Sequence, residues 1–213
     1  MSAYTQINNL EVKPGAYDPD AEEPSDEPEN KYRDGSGTNT LNVPTSGLRV
    51  IDSMVSSLAT GAAGAGARIG NEIRVNRIMF RVTNYTTVLN SFDAIRWIIC
   101  IDHQCDGAVA AYGNVLSSPN IRAFRNLENA RRFTILYDTT ESASPIFLAS
   151  SYSDYYYWDT QVDLEVDIPI KYSGDTGTIS QIKSNNICVF ACSRVGVVNF
   201  QDCVYRIRYT DTY

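Results

Sequence analysis

Cys188 and Cys192, together with the lone His103 between Cys100 and Cys105, are the side chains in this sequence whose types would suit a zinc ion. Their spacing argues otherwise. If residues 187–193 form a strand, positions 188 and 192 share a face but lie about 13 Å apart, too far to ligate one ion. Most of the five cysteines fall inside apolar strand-like patterns, where a thiol behaves as a small buried hydrophobe, and their odd number fits a reducing compartment. Asp102 and Asp106, in "DHQCDG", form a weaker candidate: a calcium loop at a subunit boundary. Two carboxylates are few against the roughly six to eight oxygens that calcium takes. The expectation is a chain without metal or cofactor.

Other chemistry is equally thin. "GAAGAGARIG" has glycines at 61, 64, 66 and 70, which misses the dinucleotide-loop spacing, and it precedes a strand instead of opening a helix. With one histidine there is no Ser/His/Asp set in a supporting context, and an enzyme of the cupin kind would need several metal-binding histidines. The sequence therefore points away from an enzyme.

The elements that must carry any site read as β-strands. In "QVDLEVDIPIKY", Val162, Leu164, Val166, Ile168, Ile170 and Tyr172 alternate with Asp163, Glu165, Asp167, Pro169 and Lys171, a period of two with one wet face. Pro169 suggests an edge strand or a bend. "FDAIRWIICID" and "ARRFTILYDTT" alternate similarly, "NNICVFACS" is apolar on both faces and so reads as central, and "DCVYRIRYTDTY" sets Cys203, Tyr205, Ile207 and Tyr209 against Val204, Arg206 and Arg208. "LRVIDSMVSSLA" and "NEIRVNRIMFRVTNY" supply two long strands, and "SPIFLASS" or "GTISQIKS" an eighth. Long connections between antiparallel strands favour Greek-key wiring. The predicted fold is all-β: a single eight-stranded jelly-roll sandwich over residues 41–213, preceded by an extended arm over residues 1–40.

That arm is unusual. Residues 1–40 hold three basic and nine acidic side chains, a net of 3 − 9 = −6 out of −7 for the whole chain, so the remainder is close to neutral. A segment so polar, with prolines at 14, 19, 24 and 28, buries too little to offset its ordering entropy and would order only against a partner. Its start, "MSAYTQINNL", lacks a basic region followed by an apolar one, and no apolar run approaches the length of a membrane helix. Neither a signal peptide nor a membrane partner is expected.

Two further features suggest contact surfaces. "SYSDYYYWDT" gathers Tyr152, Tyr155, Tyr156, Tyr157 and Trp158 in one loop-like stretch, and aromatics of this kind are enriched at subunit interfaces; a cluster tucked under a loop of the same chain is the alternative. Arginine outnumbers lysine, with Arg68, Arg74, Arg77 and Arg81 in one region and Arg122, Arg125, Arg131 and Arg132 in another. The planar guanidinium suits interface ion pairs and phosphates, although solvated strand faces would look the same.

"GARIGNEIRVNRIMFRVTNY", "IRWIICIDHQCDG" and "NLENARRFTILYDTT" resemble, in order and approximate spacing, the capsid proteins of small circular single-stranded DNA viruses that encode a replication initiator. The matching residues are Arg68-Ile69-Gly70, Asp102, Arg132-Phe133 and Asp138, and the resemblance covers roughly residues 45–213. It implies a jelly roll, self-assembly of about 60 copies into a T=1 icosahedral shell, a circular single-stranded DNA genome as partner, and a virion location after assembly in the host cell, in the nucleus. Arg68, Arg74, Arg122, Arg125, Arg131 and Arg132 are the candidate nucleic-acid contacts; Tyr152, Tyr155, Tyr156, Tyr157 and Trp158 are the candidate interface. No host receptor is indicated. Such capsids carry an arginine-rich arm, whereas this chain carries the opposite charge there, so contacts to a genome would fall to the body. A non-viral β-sandwich module binding carbohydrate or protein is the alternative.

Overall fold

The computed structural model describes residues 30–61, 66–86, 93–105, 107–142 and 156–212. Among these residues nine strands follow one another: β1 (Lys31–Ser36), β2 (Leu48–Ile51), β3 (Glu72–Thr86), β4 (Ala94–Asp102), β5 (Phe133–Ser142), β6 (Tyr156–Tyr172), β7 (Ile182–Ser184), β8 (Asn186–Ser193) and β9 (Val198–Asp211), with one α-helical turn, α1 (Tyr112–Val115). They form two antiparallel sheets, ordered β1-β9-β3-β6-β7 and β2-β8-β4-β5.

The pairing is nested. β1 joins β9, β2 joins β8, β3 joins β6 and β4 joins β5, so the first strand meets the last and the innermost pair is adjacent in the chain. This is a long hairpin rolled into two Greek-key sheets, the jelly roll, with the three-residue β7 added in the β6–β8 connection.

The apolar phases of both sheets face each other. Trp97 lies at the centre of that core, packed on Phe80 and Phe200 at ring distances of 5.3 and 5.1 Å, with its Nε1–H donated to Asn84 Oδ1 at 3.1 Å. A buried indole requires such an acceptor. β4 and β8 are buried along their whole length because the β4–β5 connection folds over the outer side of their sheet. There Tyr112, Val115, Leu116 and Ile121 pack with Ile98, Cys100, Cys188 and Phe190 in a second core. Gly47 allows this closure, since its φ is +85° and a Cβ there would strike the Tyr112 ring.

Two elements differ from the sequence expectation. β1 lies within residues 1–40, read as arm, because its inward positions carry no aliphatic signal. Lys31 is buried against Asp211 at 2.6 Å, Arg33 reaches Ser57 O at 3.2 Å, and Gly35 leaves space that the Tyr205 ring fills. β2 stops at Ile51; the rest of "LRVIDSMVSSLA" continues as turns that still bury Met54, Val55 and Leu58 in the inter-sheet core. "GTISQIKS" supplies only a 3₁₀ turn and β7, and "SPIFLASS" is outside the described residues. β6 has a strand on its far side only at Lys171 and Tyr172, so Pro169 does sit on what is nearly an edge.

Candidate functional site

The outer face of the five-stranded sheet carries no covering segment among the described residues, and its residue types are ordered by strand. On β6, Asp159, Asp163, Glu165 and Asp167 are exposed on the wet phase. On β3, a bulge between Val75 and Arg77 shifts the alternation, so Arg74 and Arg77, three apart, share the open face with Arg81. On β9, Val204, Arg206 and Arg208 point the same way, and Arg208 lies directly opposite Arg77. β1 adds Tyr32 and Asp34. A band of five arginines thus runs between an acidic stripe and the β1 edge.

Three of these arginines are paired. Arg77 donates to both Asp163 oxygens at 2.7 and 2.6 Å, Arg206 grips Asp34 at 2.5 and 2.6 Å, and Arg74 bonds Asp167 at 2.5 Å. The Arg77 hydrogen bonds hold the Asp163 carboxyl below its ordinary range, with smaller contributions from the charges of Arg208 and Arg81; Arg206 does the same for Asp34. Arg81 and Arg208 make no hydrogen bond or ion pair among the described residues. Arg81, Val204 and Arg206 also line an open cleft of about 340 Å³ beside Asp34.

The six arginines singled out in the sequence do not converge. Arg68 is fully buried, donating to Leu58 O at 2.8 Å and to the carbonyls of Gly70 and Gly174, with its guanidinium 4.2 Å over the Tyr172 ring. Its fork is spent on backbone. Arg125 binds the carbonyls of Ala130, in the β4–β5 connection, and Phe133, at the start of β5. Arg132 binds both oxygens of Asp102. Arg122 and Arg131 are exposed on that same connection, and Arg74 belongs to the band described above. Arg206 and Arg208 were missing from the sequence candidates: their phase was legible, but only the β9–β3 pairing sets them beside Arg77 and Arg81.

The aromatic tract is in part a strand, not a loop. Tyr156, Tyr157 and Trp158 open the 17-residue β6, so successive rings leave on opposite faces. Tyr157 stacks on Tyr85 at 5.5 Å on the open face, while Trp158 Nε1–H donates to Glu141 at 3.0 Å. Tyr152 and Tyr155 are outside the described residues, as is Asp106. Among the described residues the strongest apolar exposure is elsewhere: Phe124 at 85% and Leu127 at 81%, on the β4–β5 connection next to Arg122.

The metal-ligand candidates have other partners. Both His103 ring nitrogens are hydrogen-bonded, to Asn185 Oδ1 at 2.6 Å and Thr134 Oγ1 at 2.8 Å. Cys188 and Cys192 donate to the carbonyls of Asp52 and Thr45 at 3.3 and 3.2 Å. Among the described residues no group of three or more His, Cys, Asp or Glu side chains could hold an ion. None of their helices is long and apolar enough to cross a membrane.

No family model and no curated protein matches the chain. Among solved structures, one similar chain belongs to a structure described as "KBV activated particle at acidic pH". It shares 14% identity, with 98% of this chain and 82% of that chain covered, at a TM-score of 0.25. The jelly-roll assignment rests on the strand pairing, not on that overlap.

Proposed function

We propose that this chain is the coat subunit of a small icosahedral virus, assembling by itself into a closed shell. The observation that carries the reading is the nested pairing of the first described strand with the last, which closes two antiparallel sheets into a jelly roll. Folds of this kind serve several functions, so the surface has to support the reading as well. Phe124 and Leu127, both more than four-fifths exposed and three residues apart, offer apolar anchors to a second copy.

The residues that resemble small circular DNA virus capsids take structural places here. Arg68, Asp102, Arg132 and Phe133 fix turns or strand ends, and Asp138 pairs with Arg96 across β5 and β4, as a scaffold motif would. In the finer form of the proposal, about 60 copies form a T=1 shell around circular single-stranded DNA, assembled in the host nucleus. Phosphate contacts then fall to exposed arginines, Arg81 and Arg208 on the sheet and Arg122 and Arg131 on the β4–β5 connection.

Electron microscopy of the purified chain across pH and salt tests the assembly, with particles of uniform small diameter expected. A chain that stays monomeric at high concentration under every condition overturns it. The ratio of absorbance at 260 and 280 nm of such particles tests the nucleic-acid part separately.

A further inference from the structure

The open face of the five-stranded sheet has an excess of arginine along its middle and an acidic segment tethered beside it. Asn30, the first described residue, follows the open-face phase of Tyr32 and Asp34, and its Oδ1 accepts a hydrogen bond from Asn76 Nδ2 at 3.2 Å. Asn76 belongs to the β3 bulge, so this contact reaches across β9 and brings the chain to the band between Arg74 and Arg208. The twelve residues just before it, Asp18–Glu29, hold seven carboxylates and no basic side chain.

We infer that Asp18–Glu29 docks along the arginine band of its own subunit, with carboxylates on Arg81 and Arg208. Length permits it: at about 3.1 Å per residue the segment reaches about 37 Å, and the band from Arg74 to Arg81 spans about 23 Å at 3.3 Å per residue. Single exposed ion pairs contribute little, roughly 0–1 kcal/mol each. Tethering through Asn30 supplies an effective concentration in the millimolar range, which lets several weak pairs act together. The docked arm occupies the guanidinium groups that a phosphate backbone would need, so it acts as an internal competitor for polyanions. The inference rests on the face and the arm, whatever the subunit assembles into.

The test is cleavage of the full chain by a glutamate-specific protease, following the cuts after Glu22 and Glu29, the two glutamates of the segment not followed by proline, by mass spectrometry, with rates normalised to a free peptide of residues 16–30. At about 20 mM salt the arm is expected to be cut about tenfold more slowly than at about 0.5 M, where screening removes the contact. In R81E/R208E, whose melting temperature checks that the sandwich is intact, the low-salt rate rises to the high-salt value. Equal rates in wild type and variant overturn the inference, as does protection that survives both the substitutions and high salt. Protection that grows with protein concentration places the arm on a neighbour and also overturns it. Particle formation is scored separately by microscopy, so losing one result leaves the other standing.

Discussion

The Arg132 guanidinium closes on both oxygens of Asp102, at 2.8 and 2.7 Å, and so ties the end of the β4–β5 connection to the end of β4 where it began. The Asp102 side chain is 2% exposed, and Arg132 is 21% exposed. Removing the arginine leaves a buried carboxylate without its counter-ion. R132M is expected to lose about 3 kcal/mol of stability by urea unfolding, and D102N/R132M less than the sum of the single changes. An additive double variant would show that the pair carries no coupling.

Arg68 separates structural from nucleic-acid arginines. R68M strips donors from the carbonyls of Leu58, Gly70 and Gly174 and is expected to cost about 3 kcal/mol, measured by denaturant unfolding. R81Q/R208Q should leave stability within about 0.5 kcal/mol. The same double variant should flatten the salt dependence of single-stranded DNA binding by about 0.7 per lost phosphate contact.

Exposure at Phe124 and Leu127 predicts a split between stability and assembly. F124S/L127S removes two side chains that the subunit barely packs, so its unfolding free energy should stay within about 0.5 kcal/mol of wild type. Sedimentation should show subunits where the wild type gives particles. Undiminished particle yield would remove these residues from the interface.

The acid limb of stability follows from Asp34 and Asp163. Both carboxyls titrate lower in the folded chain than in the unfolded one, held down by Arg206 and Arg77. Their ionised forms therefore stabilise the fold fully above the unfolded value of about 3.9, and the contribution disappears as pH falls through the lower folded values. Melting temperatures of wild type and D34N/D163N should differ at neutral pH and converge as pH falls below the folded-state values of the two carboxyls.

Burial raises the thiols of Cys100 and Cys203 to about 12 and lifts those of Cys188 and Cys192 above their ordinary range. Ellman's reagent at about pH 8 should modify only the half-buried Cys105 readily in the native chain and all five cysteines once unfolded.

The strands that were legible in the sequence are those with at least one apolar phase. β6 could be read residue by residue from Val162 to Tyr172, and β8 as central from its two apolar faces. β1 escaped notice because its inward residues are Lys31, Arg33 and Gly35. Each is accommodated by a partner distant in sequence, so no local pattern records it. Chain order misled in the same way over Arg68. Its exposed-looking neighbourhood of glycines hides a side chain whose acceptors lie on segments up to residue 174. The arginine band needed both the β3 bulge and the β9 register, two facts of pairing that no single stretch contains.

The nested hairpin also sets the timing of folding. β9 follows the other described strands in the chain, yet it lies between β1 and β3, and Lys31 must wait for Tyr209 and Asp211 before its charge can be buried. Until β9 has left the ribosome, β1 and β3 present bare edges with nothing to fill the gap between them. Contacts this remote in sequence make folding slow relative to helical proteins of the same size. A nascent chain thus cannot offer a finished sandwich to its neighbours early, and a truncation that removes β9 should expose strand edges to aggregation instead of yielding a smaller subunit.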